Sequence, residues 1–495
     1  MKRLPLIILI AAISMALPSC SKFLEQSSQD LIRPTTVTHY KELLQGEGYF
    51  KDFYRNGWMF ETLSDNIMYI TGNAAGLQNL KTQEAEYIYK WAQDPEDPTG
   101  TFTDNFFRIM YKGILVANTC LEAVDAAEGS VEEKAVLRGQ AHFTRAYAYF
   151  VLANIYAQAY NEASPDDPCV PMILNTTPTL GGYNRATMKE VWDLITNDIE
   201  AAVANLKNDK VTRTYYEINY KAALHLATRI YLYKEDYAKV IEYGEQALLL
   251  NPTLRNITGN TTSLSPSAAG VAFNHPPSNP EIVFTFGRVP SAAGVGSYIY
   301  YLYETITLSN NAFGTTAGFP GALIDSYEAD DRRKVFWFYP PTLGIITYPA
   351  YTPMKANFRD GTVTSQFFRS AEVYLNLAEA YARKNGPDNN KALQYLNELR
   401  KNRIANYTNL TMGDFANQDA LVNFIWEERR RELCFEEFHR WWDLRRTGQP
   451  MLTHEWEGDV YVLHQKDPAY IMNFPRQELE FNPDLQPNPR PVRNP

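Results

Sequence analysis

Cysteine is scarce: the 495 residues hold four, at Cys20, Cys120, Cys169 and Cys434. That set excludes a disulfide-built scaffold; a Cys120–Cys169 bridge is the one pairing considered, and the fold is expected not to depend on it. No CxxC or HExxH pair occurs, and the seven histidines (His39, His142, His225, His275, His439, His454 and His464) are scattered, so no metal or other cofactor is expected. A Gly-x-Ser-x-Gly elbow and a glycine-rich phosphate loop are also missing. Carboxylates are numerous enough for a glycosidase pair, but their separation is a spatial quantity, and a non-enzymatic protein is expected. Basic charge is in deficit, with 47 Lys and Arg against 57 Asp and Glu and a net charge of −10. That balance argues against nucleic acid or another polyanion as the main partner. Beyond Leu17 no apolar run approaches the ~20 residues that cross a bilayer.

The N-terminus is more positive. Lys2 and Arg3 precede an apolar stretch from Leu4 to Leu17, which is secretory-signal length. Leu17-Pro18-Ser19-Cys20 resembles a bacterial lipobox. Residues 1–19 are therefore expected to be a signal peptide, with Cys20 acylated and residues 20–34 a polar tether. More than one acyl chain is needed for lasting attachment, at ~0.8 kcal/mol per buried methylene. Association with the membrane through that anchor alone is the expectation. Aromatic residues are plentiful (33 Tyr, 25 Phe and 8 Trp), and tyrosine pairs an apolar face with a polar tip.

Most of the chain reads as helix. Asn105 to Ala127 and Glu132 to Tyr160 carry apolar residues at helical spacing, and Thr187 stands three residues before Glu190, the spacing of a capping box. Tyr220 to Pro252 combines Ala227, Tyr231, Tyr237, Ala247 and Pro252 in the manner of a tetratricopeptide unit, and Ala371 to Arg403 repeats the scheme around Asn385-Gly386-Pro387. One helix pair cannot bury its own apolar face, so such units stack. The expected fold is mainly α: a helical-repeat scaffold forming one domain over residues 35–495, with few short strands. Two irregular segments project from it, near 46–100 and 253–369, and the tail from Pro450 is also read as non-helical.

Ile425 to Gly448 reads IWEERRRELCFEEFHRWWDLRRTG. This acidic-arginine run, followed by Phe-Glu and His-Arg-Trp-x-Asp-Leu-Arg-Arg-x-Gly, closely resembles the signature of the SusD/RagB family. Arg369 to Arg383 resembles the helix that precedes it, Phe106 to Asn118 an early helix, and Ile471 to Pro489 the family's ending without its closing Gly-Tyr. The resemblance implies an outer-membrane lipoprotein at the cell surface, built on tetratricopeptide helices, that captures oligosaccharides or sometimes peptides. Its implied partner is a SusC-like TonB-dependent transporter. The charged run itself is expected to be a salt-bridged helix face worth a few tenths of a kcal/mol per exposed pair, and Trp441, Trp442 and Leu444 to be packing residues.

Sugar capture needs flat rings for the C–H face of a pyranose, with amides and acids for its hydroxyl rim. The irregular segments offer Asp65 and Asn66 (within ETLSDNIMY, which resembles a short family segment), Trp91, then Tyr298, Tyr300 and Tyr303 (SYIYYLYE), and Trp337 and Tyr339 (VFWFYPP). These are the expected ligand-binding residues.

Overall fold

The computed structural model describes residues 34–50, 58–71, 86–93, 106–177, 181–261, 273–274, 276–288, 311–314, 323–339, 342–343, 346–347, 352–353, 355, 363–456 and 458–493. Helices among them are α1 (Val37–Leu43), α2 (Trp58–Leu63), α3 (Phe106–Ala123), α4 (Val131–Tyr156), α5 (Met188–Leu206), α6 (Tyr220–Tyr233), α7 (Tyr237–Leu250), α8 (Arg332–Phe336), α9 (Ser370–Arg383), α10 (Asn389–Arg400), α11 (Gln418–Leu433), α12 (His439–Arg446) and α13 (Arg476–Phe481).

The boundaries follow local chemistry. Ser130 and Thr187 each cap a helix and close a capping box, with Glu133 and Glu190 reaching back to the cap's own N–H. Asn219 and Asp236 start α6 and α7, and Asp388 starts α10, each by accepting from the N–H three residues on. The two repeat units stand where the sequence puts them, as α6 with α7 and α9 with α10, and α9 packs on α7 as well as on α10. Tyr381 donates its hydroxyl to Glu245 at 2.6 Å, tying one repeat to the other. Gly244 makes that contact possible, because a Cβ there would stand 2.8 Å from a Leu377 methyl.

α4 is the axis of the other half. Nearly all its residues from Val136 to Tyr156 are buried, and α3 and α5 pack on either side of it. One hydrophobic cluster joins both halves, running from Val37 in α1 to Leu485 near the C-terminal end. Cys120, Cys169 and Cys434 are free, buried thiols. Burial pushes Cys120 and Cys169 up to about 12, as expected of inert thiols inside apolar surroundings.

Strands are short and paired antiparallel. β2 (Ile282–Arg288) pairs with β8 (Val363–Arg369); β1 (Met68–Thr71) pairs with β3 (Asn311–Gly314). β4 (Phe338–Tyr339) pairs with β7 (Thr352–Pro353), and β5 (Thr342–Leu343) with β6 (Ile346–Thr347). The tail differs in part from its expected irregularity. It forms a hairpin of β9 (Leu452–Trp456) and β10 (Asp459–Leu463), with the side chains of β9 alternating in and out, and then the short helix α13.

Candidate functional site

The charged run of α11 is not a solvated face. Nine residues of this helix are buried, among them Glu428, Arg429, Arg430, Arg431 and Glu432. Glu427 and Arg431 do not pair: Arg431 turns to Glu428 at 2.8 Å, and Glu427 reaches Arg430 only at 3.7 Å. Exposed-pair energetics therefore do not apply.

Cations from distant segments surround the buried acids. Arg369, at the end of β8, meets Glu281 at 2.9 Å, Glu432 at 2.7 Å and Glu436 at 2.8 Å. Arg403 meets Glu281 at 2.7 Å and Glu432 at 2.9 Å; Arg333 meets Asp331 and Glu428 at 2.7 Å and Glu432 at 3.0 Å. Burial alone would push Glu428 up, but Arg333, Arg400 and Arg431 hold it well below the usual carboxylate range. Glu432 is likewise held low, by Arg403 and Arg369 against burial. Buried ions are tolerated only when so fully partnered. These acids are closed off from solvent and committed to arginines, with Lys355 also paired to Glu436.

Between α11 and α12 the chain turns through Phe435 and Glu437, whose φ values are +58° and +47°. Residues other than glycine rarely adopt that region, and surrounding contacts must enforce it. Phe435 N–H donates to Glu61 at 3.0 Å, Lys355 Nζ donates to the Cys434 carbonyl at 3.2 Å, and Glu437 accepts from Phe367 N–H at 2.8 Å while pairing with Arg229 at 2.6 Å. Burial pushes Glu61 and Glu437 up to about 7. Residues 428–440 are thus a hub on which residues 61–66, 281, 331–333, 355 and 367–369 are moored.

The expected ligand residues can now be placed. Asp65 lies beside this hub: its two oxygens accept from Arg440 at 2.6 and 2.7 Å, and Arg430 stands at 3.4 Å. These cations outweigh burial and hold its carboxyl below the ordinary range. Asn66 is buried and spent internally, donating to Glu61 at 3.0 Å and accepting from Arg430 Nε at 3.0 Å. Trp91 is 1% exposed. Its ring stacks on His454 at 3.9 Å, His454 stacks in turn on Tyr89 at 4.0 Å, and its indole N–H donates to the Leu63 carbonyl at 3.1 Å. Trp337 is fully buried beneath Lys355, whose Nζ lies 4.0 Å from the ring centroid. The two tryptophans are therefore packing residues and not open platforms: neighbours contributed by remote segments enclose both rings. The backbone of Tyr339 lies in β4. Tyr298, Tyr300, Tyr303 and Cys20 lie outside the described residues.

Sequence reasoning passes over Glu61, Glu281, Arg430, Arg440 and His454. His454 alternates inward on β9 and lies between two backbone carbonyls, with Nδ1 2.7 Å from Tyr89 O and Nε2 3.1 Å from Ser64 O. It joins residues 64 and 89 to the C-terminal hairpin. Burial pushes it down to about 4. The alternation of the hairpin strand is the signal that could have found it. Among the described residues no cluster of His, Cys, Asp and Glu is placed to hold a metal, and no helix is long and apolar enough to cross a membrane.

Stacked helix pairs that moor irregular segments through a buried ionic hub define a tetratricopeptide-type scaffold. Comparison with known proteins agrees and goes further. Residues 22–232 match a family model described as starch-binding associating with outer membrane, and residues 320–491 match the model of the SusD family. The chain belongs to the SusD/RagB family. It resembles in structure a SusD-like carbohydrate binding protein from Bacteroides vulgatus ATCC 8482, with 22% identity over 91% of this chain and 97% of the other and a TM-score of 0.67. It is similar also to a SusD superfamily protein from Bacteroides thetaiotaomicron VPI-5482 (18% identity, 92% and 100% covered, TM-score 0.70) and one from Bacteroides fragilis (22%, 91% and 99%, 0.67). At these identities the likeness is one of fold. No curated protein sequence matches the chain.

Proposed function

We propose that this protein is a cell-surface lipoprotein that binds oligosaccharides without chemical change and passes them to a SusC-like TonB-dependent transporter. The observation that carries the reading is family membership, with matches at both ends of the chain, one of them to a model described as starch-binding at the outer membrane. The carbohydrate-binding relative named above supports the same ligand class. Physically, a receptor of this kind needs a scaffold that does not deform on binding, and the hub provides one by fixing irregular segments to stacked helices. Rigid mooring lowers the ordering cost of association. Tethering by acyl chains on Cys20 would keep captured ligand close to the transporter mouth, raising its local concentration.

The ligand-contacting rings are then to be sought in the irregular segments, with Tyr298, Tyr300, Tyr303 and Tyr339 as candidates and Asp65 as a hydroxyl partner at its exposed edge. The test is calorimetry and affinity electrophoresis against plant and host glycans, with product analysis alongside. Saturable binding with no released product is expected; released product would make the protein a hydrolase, and binding of peptides but no glycan would make it a peptide receptor.

A further inference from the structure

Helix α10 has two working faces. Its C-terminal end turns Arg400 inward, to Glu428 of the hub. On the outer side Asn390, Gln394, Glu398 and Lys401 follow one another at helical spacing. The chain after α10 returns across this side and is stapled to it by Asn397. That amide donates from Nδ2 to the Leu410 carbonyl at 2.9 Å and accepts on Oδ1 from Leu410 N–H at 2.9 Å, and the Tyr407 hydroxyl donates to the same oxygen. Between helix and returning chain lies a groove of about 490 Å³. Small-molecule sites fall in the range of about 300–1,000 Å³.

Its chemistry is specific in kind. Leu393, Leu410 and Met412 contribute apolar surface, while Asn390, Gln394 and Asn409 line the groove with amides that hydrogen-bond to none of the described residues. The charges cancel, because Glu398 and Lys401 pair at 2.6 Å. Each amide offers a donor and an acceptor on one plane, which matches neighbouring hydroxyls of a sugar. A neutral lining gives no advantage to an ion. With no ring in the lining, it is Leu393, Leu410 and Met412 that stand in for a flat platform as the apolar surface under the C–H face of a pyranose.

We propose that this groove is a second oligosaccharide subsite, separate from the irregular segments; the inference rests on the glycan-binding reading above. Two subsites on one chain retain a long glycan more strongly than a short one, since the second contact forms at high effective concentration. The experiment uses the full mature chain and the triple variant Asn390→Ala, Gln394→Ala, Asn409→Ala, with Asn409→Lys as a separate single-site variant should the triple one misfold. Probes are the hexaoses of starch, xylan and mannan in calorimetry, and the parent polysaccharides in affinity gels. The native chain is expected to bind its preferred hexaose at two sites, and either variant at one, with retention by the polysaccharide weakened about tenfold. One site in the native chain, or variants that bind as the native does, overturns the subsite and leaves the glycan reading intact. No binding of any probe overturns both.

Discussion

Glu61 puts a proton inside the hub, and replacing it with glutamine tests that directly. Its carboxyl is buried, accepts from Phe435 N–H and from Asn66, and sits at about 7 because burial disfavours the charge. In the unfolded chain the same group titrates near 4.5. The folded state therefore keeps a proton that the unfolded state releases. The stabilisation is complete below about 4.5 and fades as pH rises through about 7. At about 1.36 kcal/mol per unit of pKa, Glu61 alone removes roughly 2–3 kcal/mol of stability between pH 5 and pH 8. The glutamine of the E61Q variant keeps one acceptor for Phe435 but turns an amide N–H toward the donating Asn66, at a cost of about 1 kcal/mol. E61Q is thus expected to be less stable than the native chain below about pH 5 and more stable at pH 8. Urea unfolding of both proteins across that range reads out the crossing. Glu437, also near 7, and His225 and His454, pushed down by burial, titrate in both proteins and cancel in the difference. Parallel stability curves would refute the placement of a buried proton on Glu61.

Other perturbations follow from the same packing. Arg369→Met leaves Glu281, Glu432 and Glu436 short of their shared cation and is expected to cost about 3–5 kcal/mol, measured as the fall in unfolding free energy. Gly244→Ala drives a methyl to within 2.8 Å of Leu377 and is expected to cost about 1–3 kcal/mol, with separation of the two repeats visible in amide exchange of α7 and α9. Trp91→Ala and Trp337→Ala are expected to lower stability by about 3–5 kcal/mol each while glycan affinity at native temperature changes little, because both rings are enclosed. A tenfold loss of affinity with unchanged melting would show instead that one of the rings meets ligand.

What can be read from the sequence is whatever repeats locally. The repeat helices announce themselves because apolar residues recur at 3.6-residue spacing, and Thr187-x-x-Glu190 states its own cap. The signature in α11 and α12 is legible as a family mark but not as a structure. Nothing local distinguishes a solvated Glu-Arg run from a buried one; the difference lies in Glu281, Arg333, Arg369 and Arg403, which arrive from elsewhere in the chain. Trp91 and Trp337 are misjudged for the same reason. An aromatic residue in an irregular segment has no period to reveal its inner side, and the partners that cover it, His454 for one and Lys355 for the other, are set by tertiary contact alone.

The hub also dictates an order of events in making the protein. Asp65 and Arg440 are 375 residues apart, and Glu61 and Phe435 374. A chain made from its N-terminus exposes Glu61 and Glu281 long before their cations and amide partners emerge. Contacts of such long range are slow to close. The helix pairs can assemble as they appear, whereas residues 61–66, 331–333 and 367–369 must wait for residues 428–440. Emergence of α11 and α12 is then the step that fixes these segments, and a chain cut short before α11 would carry its repeats without the hub.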